Sequence, residues 1–182
     1  QVSGDYEATV TPLIADRSSI PLSGSLAADV AEAEAAITRF DERTGANLAG
    51  FSVIALRTEA AMSSQIENLT AAAGSIAVAE HAPPSNGPHK SNAELIASNV
   101  ATLLAALSRN SPLDTIEVIE LSDQERVPAA MTDIVAFANR TDLGALAHIA
   151  VTHAHLEAVQ PFPDGNGRSG RLLIQRLLRS AG

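Results

Sequence analysis

Residues Gln160 to Arg171 read QPFPDGNGRSGR, a run of groups suited to binding an anion. A helix has to stop before Pro161, because the residue preceding a proline is pushed out of the helical region. Asp164-Gly165 and Asn166-Gly167 then supply tight turns with positive φ. The next helix starts near Arg168, so its first backbone N–H groups and the positive end of its dipole face the loop. Arg168 and Arg171 stand one turn apart on one face, and both guanidinium groups can reach the same anion. Asp164 beside them suits a Mg²⁺ that bridges phosphate oxygens. Backbone donors, two arginines and one carboxylate together suit a nucleoside triphosphate. The plain alternative is an ordinary turn between helices whose arginines are simply solvated.

The elements that must position this loop are helical. Residues 142–159 and 168–179 read as the helices on either side of it, the second carrying Leu172, Leu173, Leu177 and Leu178. Residues 127–139 read as another helix and residues 91–108 as an earlier one, with Leu95, Val100, Leu103, Leu104 and Leu107 available for burial. Residues 110–125 are ambiguous, and Glu117 to Leu121 alternates polar and apolar as a short strand would. Further upstream, Leu26, Val30, Ala33, Ile37 and Phe40 recur at spacings of four and three, one apolar stripe on a helix that Gly45 ends. A second helical stretch is expected from about residue 48 to 79, with Thr58, Ser63, Ser64, Glu67 and Asn68 interrupting its apolar face. Residues 1–24 are irregular. The break HAPPSNGP at 81–88 separates an N-terminal helical segment, 1–80, from a core domain, 90–182.

Composition agrees with a mainly α fold. Of 182 residues 46% are hydrophobic, 18% charged and only 3% aromatic, while 34 are alanine, the best helix former. The length suits a sizeable core. A net charge of -9 and a pI near 4.9 argue against binding the phosphate backbone of nucleic acids. The absence of cysteine excludes disulfides and a thiolate zinc site. The uncharged stretch from Leu95 to Ser108 falls short of the roughly 20 apolar residues of a membrane span. With no signal-peptide pattern at the start, the expected compartment is the cytoplasm.

The loop resembles the signature of the Fic-domain family, HPFxDGNGRxxR, at every fixed position except the first. The likeness extends to the preceding helix, His153-Ala154-His155-Leu156-Glu157, and to an early core helix from Asn92 to Leu107. Upstream, Ser63-Ser64-Gln65-Ile66-Glu67-Asn68 is similar to the inhibitory motif [S/T]xxxE[G/N] of autoinhibited members. The plain alternative for Glu67 is a solvated or capping glutamate. The resemblance implies a Fic-like helical bundle whose N-terminal segment carries the inhibitory motif. It also implies a protein adenylyltransferase, which moves AMP from ATP to a hydroxyl of a target protein. Asp164 would bind Mg²⁺, and the Gly165-Asn166-Gly167 backbone with the Asn166 side chain would hold the α- and β-phosphates. Arg168 would steady the phosphate chain and Arg171 would grip the γ-phosphate. Glu67, with Ser63 and Asn68 completing its motif, would pair with Arg171 and remove that grip. Phe162 would anchor the loop in the core.

Two departures bear on activity. Gln160 stands where the family has a histidine that takes the proton of the target hydroxyl. A glutamine amide has no usable pKa, and losing a general base costs about 10²- to 10⁴-fold in rate. The chain is therefore expected to bind ATP and to transfer AMP weakly or not at all; His153 and His155 are expected to be structural or exposed helix residues. Only residues 110–126 span the gap where members of the family carry a small β-hairpin flap. Either the flap is truncated or a mobile one is missing from the sequence, and the second is favoured because target-binding loops are mobile. The chain also stops close to the last signature helix, and whether later core helices are absent or only missing from the sequence stays open. The competing reading is a non-catalytic ATP-binding regulatory module, and a third is related chemistry on the same loop, such as removing AMP. The target protein and the choice between monomer and homo-oligomer stay open.

Overall fold

The computed structural model describes residues 10–44, 49–66, 68–82, 90–108, 127–162 and 165–181, with backbone alone at 49–53 and 106. Seven helices lie among them: α1 (Gly24–Thr44), α2 (Ala49–Ile66), α3 (Ala73–His81), α4 (Asn92–Ser108), α5 (Val127–Ala138), α6 (Ala145–Val159) and α7 (Asn166–Ser180). The mainly α class expected from alanine content and periodicity is the class observed. The short strand at 117–121 and the hairpin flap fall outside the described residues. The chain divides into two compact units, Glu32–Asn110 and Gln1–Ala31 with Ser111–Gly182.

In the unit Glu32–Asn110, α4 packs against both α2 and α3. Ala60 of α2 and Ile96, Ala97, Val100, Leu103 and Leu107 of α4 are buried. The helix expected from 48 to 79 is in fact two. Asn68 takes a left-handed φ of 61° and ends α2. Its N–H bonds Gln65 O at 3.0 Å and the Leu69 N–H bonds Ser64 O at 2.9 Å, the paired closing bonds of a Schellman cap. Asparagine tolerates this conformation better than other non-glycine residues, so the chain turns there rather than continuing helically. The start of α4 is a capping box: the Ser91 N–H donates to Glu94 Oε2 at 2.7 Å, and the Glu94 N–H donates to Ser91 Oγ at 3.3 Å. An ion pair between Arg57 and Glu80, 2.8 Å, joins α2 to α3.

In the other unit, α5, α6 and α7 pack in sequence order. Val127, Met131 and Ile134 of α5 meet Leu156 of α6, with Val159 and Leu173 against them. Ala138, Ile149 and Leu177 form a second cluster with Leu173, Ile174 and Leu178, so three of the four leucines foreseen on α7 pack in the core. Phe137, fully buried, meets the His148 ring edge-on at 4.9 Å, and His148 Nε2 lies 2.7 Å from the Phe137 carbonyl.

The irregular N-terminal segment is held to α5. Asp133 accepts the N–H of Ile14 at 2.8 Å and of Ala15 at 3.0 Å, one on each carboxylate oxygen. Arg140 donates to the carbonyls of Ala15 and Arg17, and its guanidinium lies 5.9 Å from the Phe137 ring centroid. Ile14 is buried beneath these contacts. By contrast the stripe on α1 is not covered: α1 has no buried residue, and Phe40 is 61% exposed.

Candidate active site

The site is assembled by the way α6 hands the chain to α7. Gln160 closes α6 at φ 46° and ψ 63°, with its N–H on Leu156 O at 3.0 Å. Pro161, which forbids a helical predecessor, is fully buried behind it. Phe162 is then tied across the loop to Asn166. The Phe162 N–H donates to Asn166 Oδ1 at 2.9 Å, and Asn166 Nδ2 donates to the Phe162 carbonyl at 2.8 Å. This two-bond ring commits Asn166 to holding the loop's shape and leaves one amide hydrogen for a further acceptor.

Helix α7 begins two residues earlier than expected, at Asn166. Gly165 is its cap at φ 81°, where a side chain would be strained, and its carbonyl accepts the Ser169 N–H at 2.9 Å. The amides of Asn166 and Gly167 therefore have no acceptor within the helix and point out of its positive end. The Arg168 guanidinium folds over Gly165, where a Cβ would sit 3.3 Å from Nη2. Arg171 follows one turn along, half-buried like Arg168. Donor amides, glycine clearance and the Arg168 guanidinium thus converge on one end of α7, with Arg171 one turn along, an arrangement suited to a polyanion.

Gly170 sets how closely α7 approaches α6. A Cβ there would overlap Glu157 Oε1 and lie 2.9 Å from His153 Nδ1. His153 Nδ1 in turn lies 3.9 Å from Glu157 Oε1. His153 thus packs in the α6–α7 seam, while His155 Nδ1 lies 3.2 Å from its own helix carbonyl at Val151; neither is fully exposed.

A family model for the Fic/DOC family matches residues 88–178, which run from just before α4 into α7. The chain belongs to the Fic/DOC family. No curated protein matches it. Within this Fic domain the structure gathers Gly165, Asn166, Gly167, Arg168 and Arg171 on the first turns of α7, with Gln160 at the end of α6. Asp164 and Glu67 lie outside the described residues. Ser63 is a half-buried residue of α2, and Asn68 is that helix's left-handed cap.

Among the described residues no group of three or more His, Asp or Glu could hold a metal. A single carboxylate next to a helix end with free donor amides would suit Mg²⁺, a hard cation that takes oxygen ligands. Asp164, immediately before Gly165 in the sequence, is the residue of the right type for it. No helix among the described residues is long and apolar enough to cross a membrane.

Sequence reasoning missed several positioning residues. Asp133 and Arg140 gave no motif, since they act on backbone groups far away in the chain. Gly170 occupies a variable position of the signature, and only the helix packing reveals why a side chain is excluded there. Asn92 and Asn99 were readable only as polar positions of a helix.

Proposed function

We propose that this Fic protein is a protein adenylyltransferase that binds MgATP at the start of α7 and is restrained at two positions, Glu67 and Gln160. The observation that supports the reading is the Arg168 guanidinium folded over the Gly165 cap beside the Asn166 and Gly167 amides, with Arg171 one turn along, within a signature complete save its first residue. In this reading residues 1–80 are the segment bearing the inhibitory motif Ser63, Glu67 and Asn68, and residues 90–182 are the Fic domain.

The reaction joins a target hydroxyl oxygen to the α-phosphorus and breaks the bond from that phosphorus to the bridging oxygen, so pyrophosphate leaves. The amides of Asn166 and Gly167 and the Arg168 guanidinium orient the phosphate chain, and Arg171 holds its γ end. Asp164 would hold a Mg²⁺, which would supply positive charge to offset that of the leaving pyrophosphate. The hydroxyl proton needs an acceptor. Gln160 can orient the hydroxyl by hydrogen bonding but cannot take its proton, which passes instead to water, so transfer is slow. Glu67 opposes binding by competing with the γ-phosphate for Arg171, as a carboxylate can for a guanidinium.

Gln160 favours a second reading, a non-catalytic ATP-binding regulatory module. Transfer of labelled AMP from MgATP onto the protein itself and onto lysate proteins separates the two. Glu67→Gly is compared with Glu67→Gly plus Gln160→His. The enzyme reading predicts label in the double variant at about 10²-fold or more above the single one. A silent double variant that still binds ATP leaves the module.

A further inference from the structure

Helix α4 holds the chain at two points, one in the last turn of α2 and one in the connection that follows it. Asn99 Nδ2 donates to Ser64 Oγ at 3.1 Å, and Asn92 Nδ2 donates to the Thr70 carbonyl at 3.2 Å. Asn92 and Asn99 are seven residues apart, two helical turns, and so share one face of α4. Ser64 and Thr70 stand three residues to either side of Glu67 in the chain. The first contact is partly sheltered, on the Ser64 side. Ser64 is 0% exposed, and its one hydroxyl hydrogen goes to Ala60 O at 2.7 Å, so its remaining capacity is as an acceptor for Asn99. Between the two contacts the chain leaves α2 through the Asn68 cap, a closure with only one favoured geometry.

A buried hydroxyl satisfied by an amide from another helix specifies register as well as adhesion, because sliding either helix by one residue breaks it. An apolar seam between α2 and α4 would hold them together without fixing where α2 ends. We infer that Asn92 and Asn99 are positioning residues that set the inhibitory motif, so that α4, inside the Fic domain, governs how strongly Glu67 restrains the site. This rests on the reading of Glu67 as the inhibitory carboxylate. Loosening either contact frees the α2 terminus without removing Glu67, and inhibition weakens.

The test is a mutant cycle in the Gln160→His background, read as the rate of AMP transfer from MgATP. Asn99→Leu, Asn92→Ala and Glu67→Gly are made singly, and each asparagine variant is also combined with Glu67→Gly. Asn92 is exposed, so its variant keeps the test alive if Asn99→Leu, at a half-buried position, does not fold. The expected result is that each asparagine variant raises transfer roughly 2- to 30-fold and adds nothing once Glu67 is gone. The Leu69 amide, whose acceptor is Ser64 O, exchanges faster in Asn99→Leu. The inference is overturned if Glu67→Gly raises transfer while the asparagine variants do not. It is equally overturned if they change transfer by the same factor with and without Glu67. No change on Glu67→Gly itself rejects the inhibitory role of Glu67 first, and the clamp's regulatory meaning with it.

Discussion

Asn166 closes the signature loop on Phe162 with a reciprocal pair of hydrogen bonds, 2.9 Å into its Oδ1 and 2.8 Å out of its Nδ2. The amide serves both backbone groups of one residue, a task for which no other side chain of this size carries both donor and acceptor. Asn166→Ala leaves the Phe162 N–H and carbonyl without this partner. Denaturant unfolding should show a loss of about 1–3 kcal/mol. ATP affinity, measured by calorimetry, should fall as well, because the loop that precedes α7 loses its shape. Asn166→Asp keeps the acceptor but not the donor, and is expected to fall between wild type and alanine.

Gly170 lets α7 lie against His153 and Glu157. In Gly170→Ala the new methyl group meets the ends of two side chains. Glu157 can swing toward solvent, but the His153 ring has to turn within the seam. The expected cost is about 1–3 kcal/mol of stability. Gly170→Ala combined with Glu157→Ala should recover part of it, and a double-mutant cycle on unfolding free energies reads the coupling.

Asp133 holds the N-terminal segment by two backbone amides at once. Asp133→Ala should cost about 2 kcal/mol, the scale of hydrogen bonds to a charged group. Amide exchange at Ile14 and Ala15 should accelerate more than at Met131 or Ile134, which stay buried in the α5–α6 core. Equal acceleration at all four would mean that the segment and the core open together.

The pair Arg140–Asp142 makes stability depend on pH. The hydrogen bonds that Arg140 donates to Asp142 hold its carboxyl below the usual range, and the same bonds raise Arg140. A carboxyl whose folded pKa is depressed contributes stability above its unfolded pKa and loses it as pH falls through the folded one. Asp142→Asn should therefore lower Tm at pH 7, and the difference from wild type should vanish on acidification below the ordinary carboxylate range. Because the pair is open to solvent, added salt should also reduce the difference.

Much of this was legible in the residues taken in order. Helix content followed from alanine and from apolar spacing, since both act within one or two turns of the chain. The bounds of α4, α5 and α7 were read to within a few residues for the same reason. The end of α6 at Gln160 and the nearby start of α7 were legible because proline and glycine dictate local geometry directly. Asn68 defeated that reasoning: helix propensity alone continued through it, whereas its left-handed cap ends α2.

What only the tertiary structure decided are the contacts between groups distant in sequence. Asp133 with Ile14, Asn99 with Ser64, and Gly170 with Glu157 each pair residues of ordinary type whose partner is named by packing alone. The sequence by itself determined most of the helices and the family; the fold determined which backbone groups the spare carboxylates and amides would hold. The reason is range, since propensity and turn chemistry act within a few residues, whereas a buried donor finds its acceptor only after helices have packed.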